Sequence, residues 1–331
     1  MRTQRLFVPA LALFLVTPLA VTAPAQGEQA ARGPGFGARA LQALVDGVQF
    51  GVIIAITAVG LSLVFGTIHL INFAHGEFVT IGATFAFFLN ASPAGPGWHL
   101  IPAALAAVVL GALLGAAVDL GVWRPLRARG TGLINMFIVT IGLSLLLRHI
   151  VLVLYGTRPG SYAQYDIQRA IDLGPVGITP RDLVVTLLSA ATLLGVAALL
   201  QRTRIGTAVR AVSDNRDLAE ASGIDVRRVV LVVWMLGGAL AALGGVFFGL
   251  VEIVTWDMGF KLLLLMFAAI ILGGLGSAYG AMAGSLVIGV VAQMSTLWFP
   301  VDLQYAWALL ALIVVLLVRP QGILGHAERV G

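Results

Sequence analysis

Asn72, His75 and Glu77 are the side chains in this sequence best equipped for chemistry, and they interrupt a stretch that is otherwise apolar. Residues 72–77 read Asn-Phe-Ala-His-Gly-Glu, with apolar runs over 48–64 before them and 78–89 after them. An ionisable cluster at membrane depth is expensive to hold and marks a functional site. Gly76 frees the backbone from helical geometry, and broken helices are where transporters receive polar cargo. Two roles are open at this point. The cluster lines a path for cargo, or it mends the exposed backbone at a helix break. A helix beginning after Gly76 would point its positive end at an anionic group, a place for which the first-turn acid Glu77 itself competes. His75 and Glu77 are two residues apart, so on a helix they face different ways and do not make a nucleophile–base pair.

Other chemistries lack their residues. Cysteine is absent, which removes disulfides, thiolate metal sites and cysteine nucleophiles. There is no phosphate-binding Gly-x-x-x-x-Gly-Lys-Ser/Thr loop, and the sole lysine, Lys261, sits at a span end. His69, His75, His99, His149 and His326 have no metal-ligand spacing, so no metal site and no catalytic residue are expected. The chain reads as a non-enzyme that carries no cofactor.

The elements that must position these residues are membrane spans. The chain has 331 residues, of which 59% are hydrophobic and 11% charged. Soluble domains carry about 25% charged residues. The expected fold is an all-α polytopic membrane protein of about eight transmembrane helices. Apolar runs fall near 43–65, 68–89, 100–122, 133–155, 183–200, 229–251, 262–272 and 306–318; a further run at 281–297 brings the total to nine if it crosses separately. Arg2 and Arg5, the apolar run 6–21 and Ala23-Pro24-Ala25 read as a signal peptide over 1–25, with an extra N-terminal helix as the alternative. Residues 26–42 read as a flexible extracytoplasmic segment, 43–325 as the transmembrane domain and 326–331 as a cytoplasmic tail.

The net charge of +5 lies in loops, which fits the positive-inside rule better than nucleic-acid binding. With the C-terminal tail placed in the cytoplasm and 281–297 counted as its own crossing, 13 Arg fall inside and 6 Arg or Lys fall outside. The mature N-terminus is then outside, in an inner-membrane protein. Trp98, Trp123, Tyr155, Trp256 and Trp298 fall near span ends and read as interface anchors. Arg148, inside a span, either snorkels or pairs with a carboxylate.

A second interrupted span occurs late in the chain, where 262–272 runs into Gly273-Gly274-Leu275-Gly276-Ser277 before 281–291. Paired breaks in two halves point to a central translocation site or hinge. Close helix packing through Gly276 and Gly280 is the alternative. Residues 201–228 form the one long charged loop: Asp214 caps a short helix beginning near Asn215, and Gly223 ends it. Leu218, Ala219, Ala221 and Ser222 give that helix a small apolar face suited to docking.

Four segments carry a family resemblance across about 43–325. Ile71-Asn72-Phe73-Ala74-His75-Gly76-Glu77-Phe78, after Gly60-Leu61-Ser62-Leu63-Val64-Phe65-Gly66, resembles the signature of the LivH branch of branched-chain amino-acid ABC permeases. The loop from Gly206 to Ile224, the break at 273–277, and Arg319-Pro320-Gln321-Gly322-Ile323-Leu324-Gly325 are similar to the family's ATPase-facing loop, late glycine break and C-terminal signature. The resemblance implies a permease subunit of an importer. Its expected partners are a LivM-like second permease, two ATPases that bind ATP and Mg, an extracytoplasmic amino-acid-binding protein and membrane lipid. It places Asn72, His75, Gly76, Glu77, Gly273, Gly274 and Gly276 in the translocation pathway or hinge. It places Arg210, Asp214, Asn215, Arg216, Ala219, Glu220, Gly223 and Ile224 at the ATPase. Urea or short amides are alternative cargo, because relatives of the same type import them. A passive small-solute channel and an ion-coupled transporter using Glu77, Arg148 and Asp119 are the rival classes.

Overall fold

A computed structural model describes residues 35–165 and 168–318. The signal expected over 1–25, the signature at 319–325 and the tail at 326–331 lie outside the described residues. Helix α1 spans Phe36–Ile68, α2 His75–Asn90 and α3 Leu100–Val118, which continues through a π-helical turn (Asp119–Trp123) into α4, Arg124–Ala128. Helix α5 spans Leu133–Tyr155, followed by a hairpin of β1 (Ile171–Leu173) and β2 (Val176–Ile178). Then come α6 (Pro180–Arg202), α7 (Arg204–Asp214), α8 (Arg216–Ala221), α9 (Val226–Val251), α10 (Met258–Gly273), α11 (Ala278–Ser295) and α12 (Gln304–Val318). The α1, α3–α4, α5, α6, α9 and α11 segments are long and apolar enough to cross a membrane. The chain is an all-α, multi-pass membrane protein, with α11 a separate helix and not an irregular continuation of α10.

Helix α1 is the axis. It packs against α11 and α9, and α9 packs against α3. Glycine permits these approaches: a Cβ on Gly51 would stand 2.9 Å from Leu286 Cα, and one on Gly60 2.9 Å from the Gly237 carbonyl oxygen. Without a hydrophobic drive between helices in lipid, such backbone contacts supply the packing. In contrast, α5 turns most of its surface outward, with Val153 and Leu154 each 82% exposed. Its buried stripe is Met136, Thr140, Ser144 and Val151.

The structure moves several expected boundaries. Residues 36–42, expected in a flexible segment, already belong to α1. The second span starts at His75 and not near 68; His69, at φ 53, turns the chain out of α1. Trp123 is not an interface anchor: it is fully buried and stacks on Trp234 with centroids 6.0 Å apart. The π turn there also buries Asp119, which accepts from Arg127 Nη2 at 2.5 Å. Gly276 and Gly280 do not form the expected packing pair. Gly280 instead lies against Gly273, and Gly284 against the Ala269 carbonyl, while Gly276 sits at φ 81 in the turn beside Gly66.

At one end of the bundle, Asn90 and Gln164 tie α2 to the 156–170 segment, and Gln42 bonds the hairpin at Gly177 in both directions (2.9 and 3.1 Å). The other end carries α7 and α8.

Candidate functional site

Successive residues of an α-helix turn by about 100°, so the first turn of α2 addresses three neighbours at once. His75, Gly76 and Glu77 meet α1, α10 and α5 in that order. His75 Nε2 lies 3.1 Å from the Thr57 carbonyl oxygen of α1. A carbonyl only accepts, so Nε2 carries the proton. Gly76 and Gly259 bring the first turns of α2 and α10 into backbone contact, and the Gly259 amide donates to Thr80 Oγ1 at 3.0 Å. Glu77 Oε1 accepts from Ser144 Oγ at 2.9 Å and from Arg148 Nε and Nη2 at 3.1 and 2.8 Å. The Arg148 guanidinium lies 3.7 Å from the centroid of the Phe260 ring on α10.

Arg148 continues the inward stripe of α5 one turn beyond Ser144, which brings its guanidinium to Glu77. Glu77 is fully buried, and the Arg148 side chain is 12% exposed. Glu77 Oε2 has no partner among the described residues.

The segment 69–74 closes the break. Asn72 Oδ1 accepts from the Ala74 amide at 3.1 Å, and the Asn72 carbonyl accepts from the His75 amide at 3.3 Å. Phe73 packs on Phe137 and Phe267, with centroids 5.6 and 5.1 Å away. Thr57 lies about 16 Å along α1 from its Ile68 end at 1.5 Å per residue, so the first turn of α2 meets α1 well inside that helix and not at its end. Asn72, His75 and Glu77 are all fully buried; in this conformation they brace the break. Arg148 meets the carboxylate that the sequence left unnamed. Ser144 and Phe260 were not legible in advance, though Ser144 stands one helical turn before Arg148.

Gly273, Gly274 and Gly276 lie apart from this cluster, in the α10–α11 turn. Gly274 and Gly276 adopt φ values of 109 and 81, and Ser277 caps α11 by accepting from the Gly280 amide at 3.0 Å. The turn touches α1 at Gly66.

The expected docking loop is two helices. Thr203 caps α7, and Asn215, not Asp214, caps α8 by accepting from the Leu218 amide at 2.9 Å. Asp214 is the last residue of α7, so its side chain precedes the turn that needs the cap. Gly223, at φ 85, ends the unit. Arg210, Asp214, Asn215, Arg216 and Glu220 are exposed, and Ile224 is half-buried. Ala219 is buried, so it anchors α8 to the bundle and is not on the exposed face. The expected apolar face therefore divides, with Ala219 buried and its neighbour Leu218 64% exposed.

Comparison with known proteins agrees with these features. Residues 43–318 match the family described as branched-chain amino acid transport system / permease component. The chain is 30% identical over 298 residues to the high-affinity branched-chain amino acid transport system permease protein LivH of Salmonella typhimurium, covering 87% of this chain and 96% of that one. It is also 30% identical to BraD of Pseudomonas aeruginosa over 302 residues, again with 87% and 96% covered. Identity to the ribose import permease protein RbsC of Escherichia coli is 28% over 284 residues, or 80% of each chain. No solved structure matches. The match over most of the described bundle, together with the near-complete coverage of LivH and BraD, places the chain in the branched-chain amino acid transport system permease family.

Proposed function

We propose that this chain is one of two permease subunits in an ATP-driven importer of branched-chain amino acids. The observation that carries this reading is the 30% identity with LivH and BraD across 96% of their length. A LivM-like permease completes the pathway, two cytoplasmic ATPases bind ATP and Mg²⁺, and an extracytoplasmic binding protein delivers cargo. The α7–α8 unit faces the cytoplasm and docks on an ATPase through Arg210, Asp214, Asn215, Arg216, Leu218 and Glu220. Gly223 and Ile224 set the exit of that unit. ATP-driven closure of the ATPases moves this unit, and the movement passes to the bundle through rigid packed helices. Asn72, His75, Gly76 and Glu77 form one hinge, and Gly273, Gly274 and Gly276 the other.

Reconstitution with those partners in proteoliposomes tests the reading. ATP-dependent leucine uptake that requires the binding protein is expected. Uptake by the chain alone without ATP would mean a passive channel, and uptake abolished by a protonophore with ATP present would mean an ion-coupled transporter. Transport of urea but not leucine would reassign the cargo.

A further inference from the structure

The site described above contains more charge than a helix break needs. Asn72 already caps the turn, His75 already ties α2 to α1, and Gly76 already seats α2 on α10. The Glu77–Arg148 pair is added at the same level, fully desolvated on the carboxylate side. An ion pair in a dry interior rarely gains over apolar packing of the same volume, so its retention points to a use.

The geometry points to the Glu77–Arg148 pair as the permease's receptor for the two charged ends of an α-amino acid in transit. This inference rests on the importer reading above. A zwitterionic amino acid carries a carboxylate and an ammonium on one carbon. The pair presents the matching guanidinium and carboxylate on different helices, α5 and α2. When α5 and α2 separate, one protein ion pair is exchanged for two protein–cargo pairs, the cargo carboxylate on Arg148 and the cargo ammonium on Glu77. No charge is left unpaired in hydrocarbon at either end of the exchange.

Three observations favour exchange over permanent bracing. All three donors to Glu77 converge on Oε1, while Oε2 is buried without a partner among the described residues, which leaves acceptor capacity for an ammonium group. Arg148 lies at the edge of the least buried span, beside exposed Leu145 and His149, so the guanidinium is the less buried member of the pair, 12% exposed against 0% for Glu77. Phe73, Phe137 and Phe267 cluster near the start of α2, and Phe260 covers the guanidinium. Phe260 gives the pair an apolar wall on the α10 side, against which an aliphatic side chain can pack.

The test uses the full importer in proteoliposomes, with radiolabelled leucine and ATP hydrolysis followed together. Glu77→Gln keeps the shape and the acceptor for Ser144 and removes the charge. The expected result is an assembled complex that still hydrolyses ATP, with leucine uptake reduced about tenfold or more, the size of losing one charge-assisted hydrogen bond. The exchange Glu77→Arg with Arg148→Glu restores a pair between α2 and α5 but reverses the charges presented to cargo. Recovery of uptake by that double variant would show that the pair only holds helices together, and would overturn the inference. Wild-type uptake in Glu77→Gln, or its failure to assemble, would overturn it equally. Absence of ATP-driven leucine uptake in the unaltered complex would instead remove the importer reading itself.

Discussion

At the head of α2, three neighbouring residues hold three helices, and each hold has its own cost when broken. A methyl group on Gly259 would meet the Gly76 carbonyl and Thr80 Oγ1, atoms of a buried turn with little room to retreat. Gly259→Ala should therefore lower stability by about 1–3 kcal/mol, as overpacking does, read as a lower melting temperature of the purified complex in detergent. His75→Phe keeps most of the ring volume but removes the Nε2–H that the Thr57 carbonyl accepts. That carbonyl keeps its helical partner, so the loss is one buried hydrogen bond, about 0.5–1.5 kcal/mol, and that variant should also melt somewhat earlier. The same assay on Gly177→Ala supplies a contrast, because a Cβ there meets nothing closer than 3.5 Å and should leave the melting temperature near that of the native protein.

Helix α8 is six residues long and is kept by its ends. Asn215 supplies the cap and Gly223 the left-handed exit, while Ala219 pins the middle to the bundle. Asn215→Ala should cost about 1 kcal/mol of local stability, visible as faster amide exchange over 216–221 with little change in global melting. Leu218→Asp, which touches only the exposed side, should leave the permease fold intact and weaken its co-purification with the ATPases. The existence and order of most helices were legible in the sequence, because long apolar runs between polar loops leave few alternatives in a membrane. The boundaries at 68–75 and 36–42 were less legible. Apolar residues occur through both, and only tertiary contacts decide that Leu70 and Phe73 pack as non-helical chain while Phe36 to Gln42 stay helical. Asn72, His75 and Glu77 stood out by type alone. Their partners did not, since Thr57, Ser144 and Phe260 come from three other helices and carry no local signal. Trp123 was misplaced because proximity to a span end does not reveal the π turn that swings its ring inward.

For the whole molecule, the charge asymmetry and the fold make a joint statement about sidedness. The hairpin turn at Gly174 and the α8 surface at Leu218 belong to opposite ends of the bundle. The chain has no cysteine of its own, so single cysteines at these two positions report directly. An impermeant maleimide applied to intact cells should label position 174, and position 218 should react only after the membrane is opened. The contact between Gly76 and Gly259 carries a wider consequence. From that point α2 runs toward the Asn90 end and α10 toward the Gly276 end, so the barrier there is two short walls sharing one sill. The importer proposed above would use that seam to keep one half closed while the other opens.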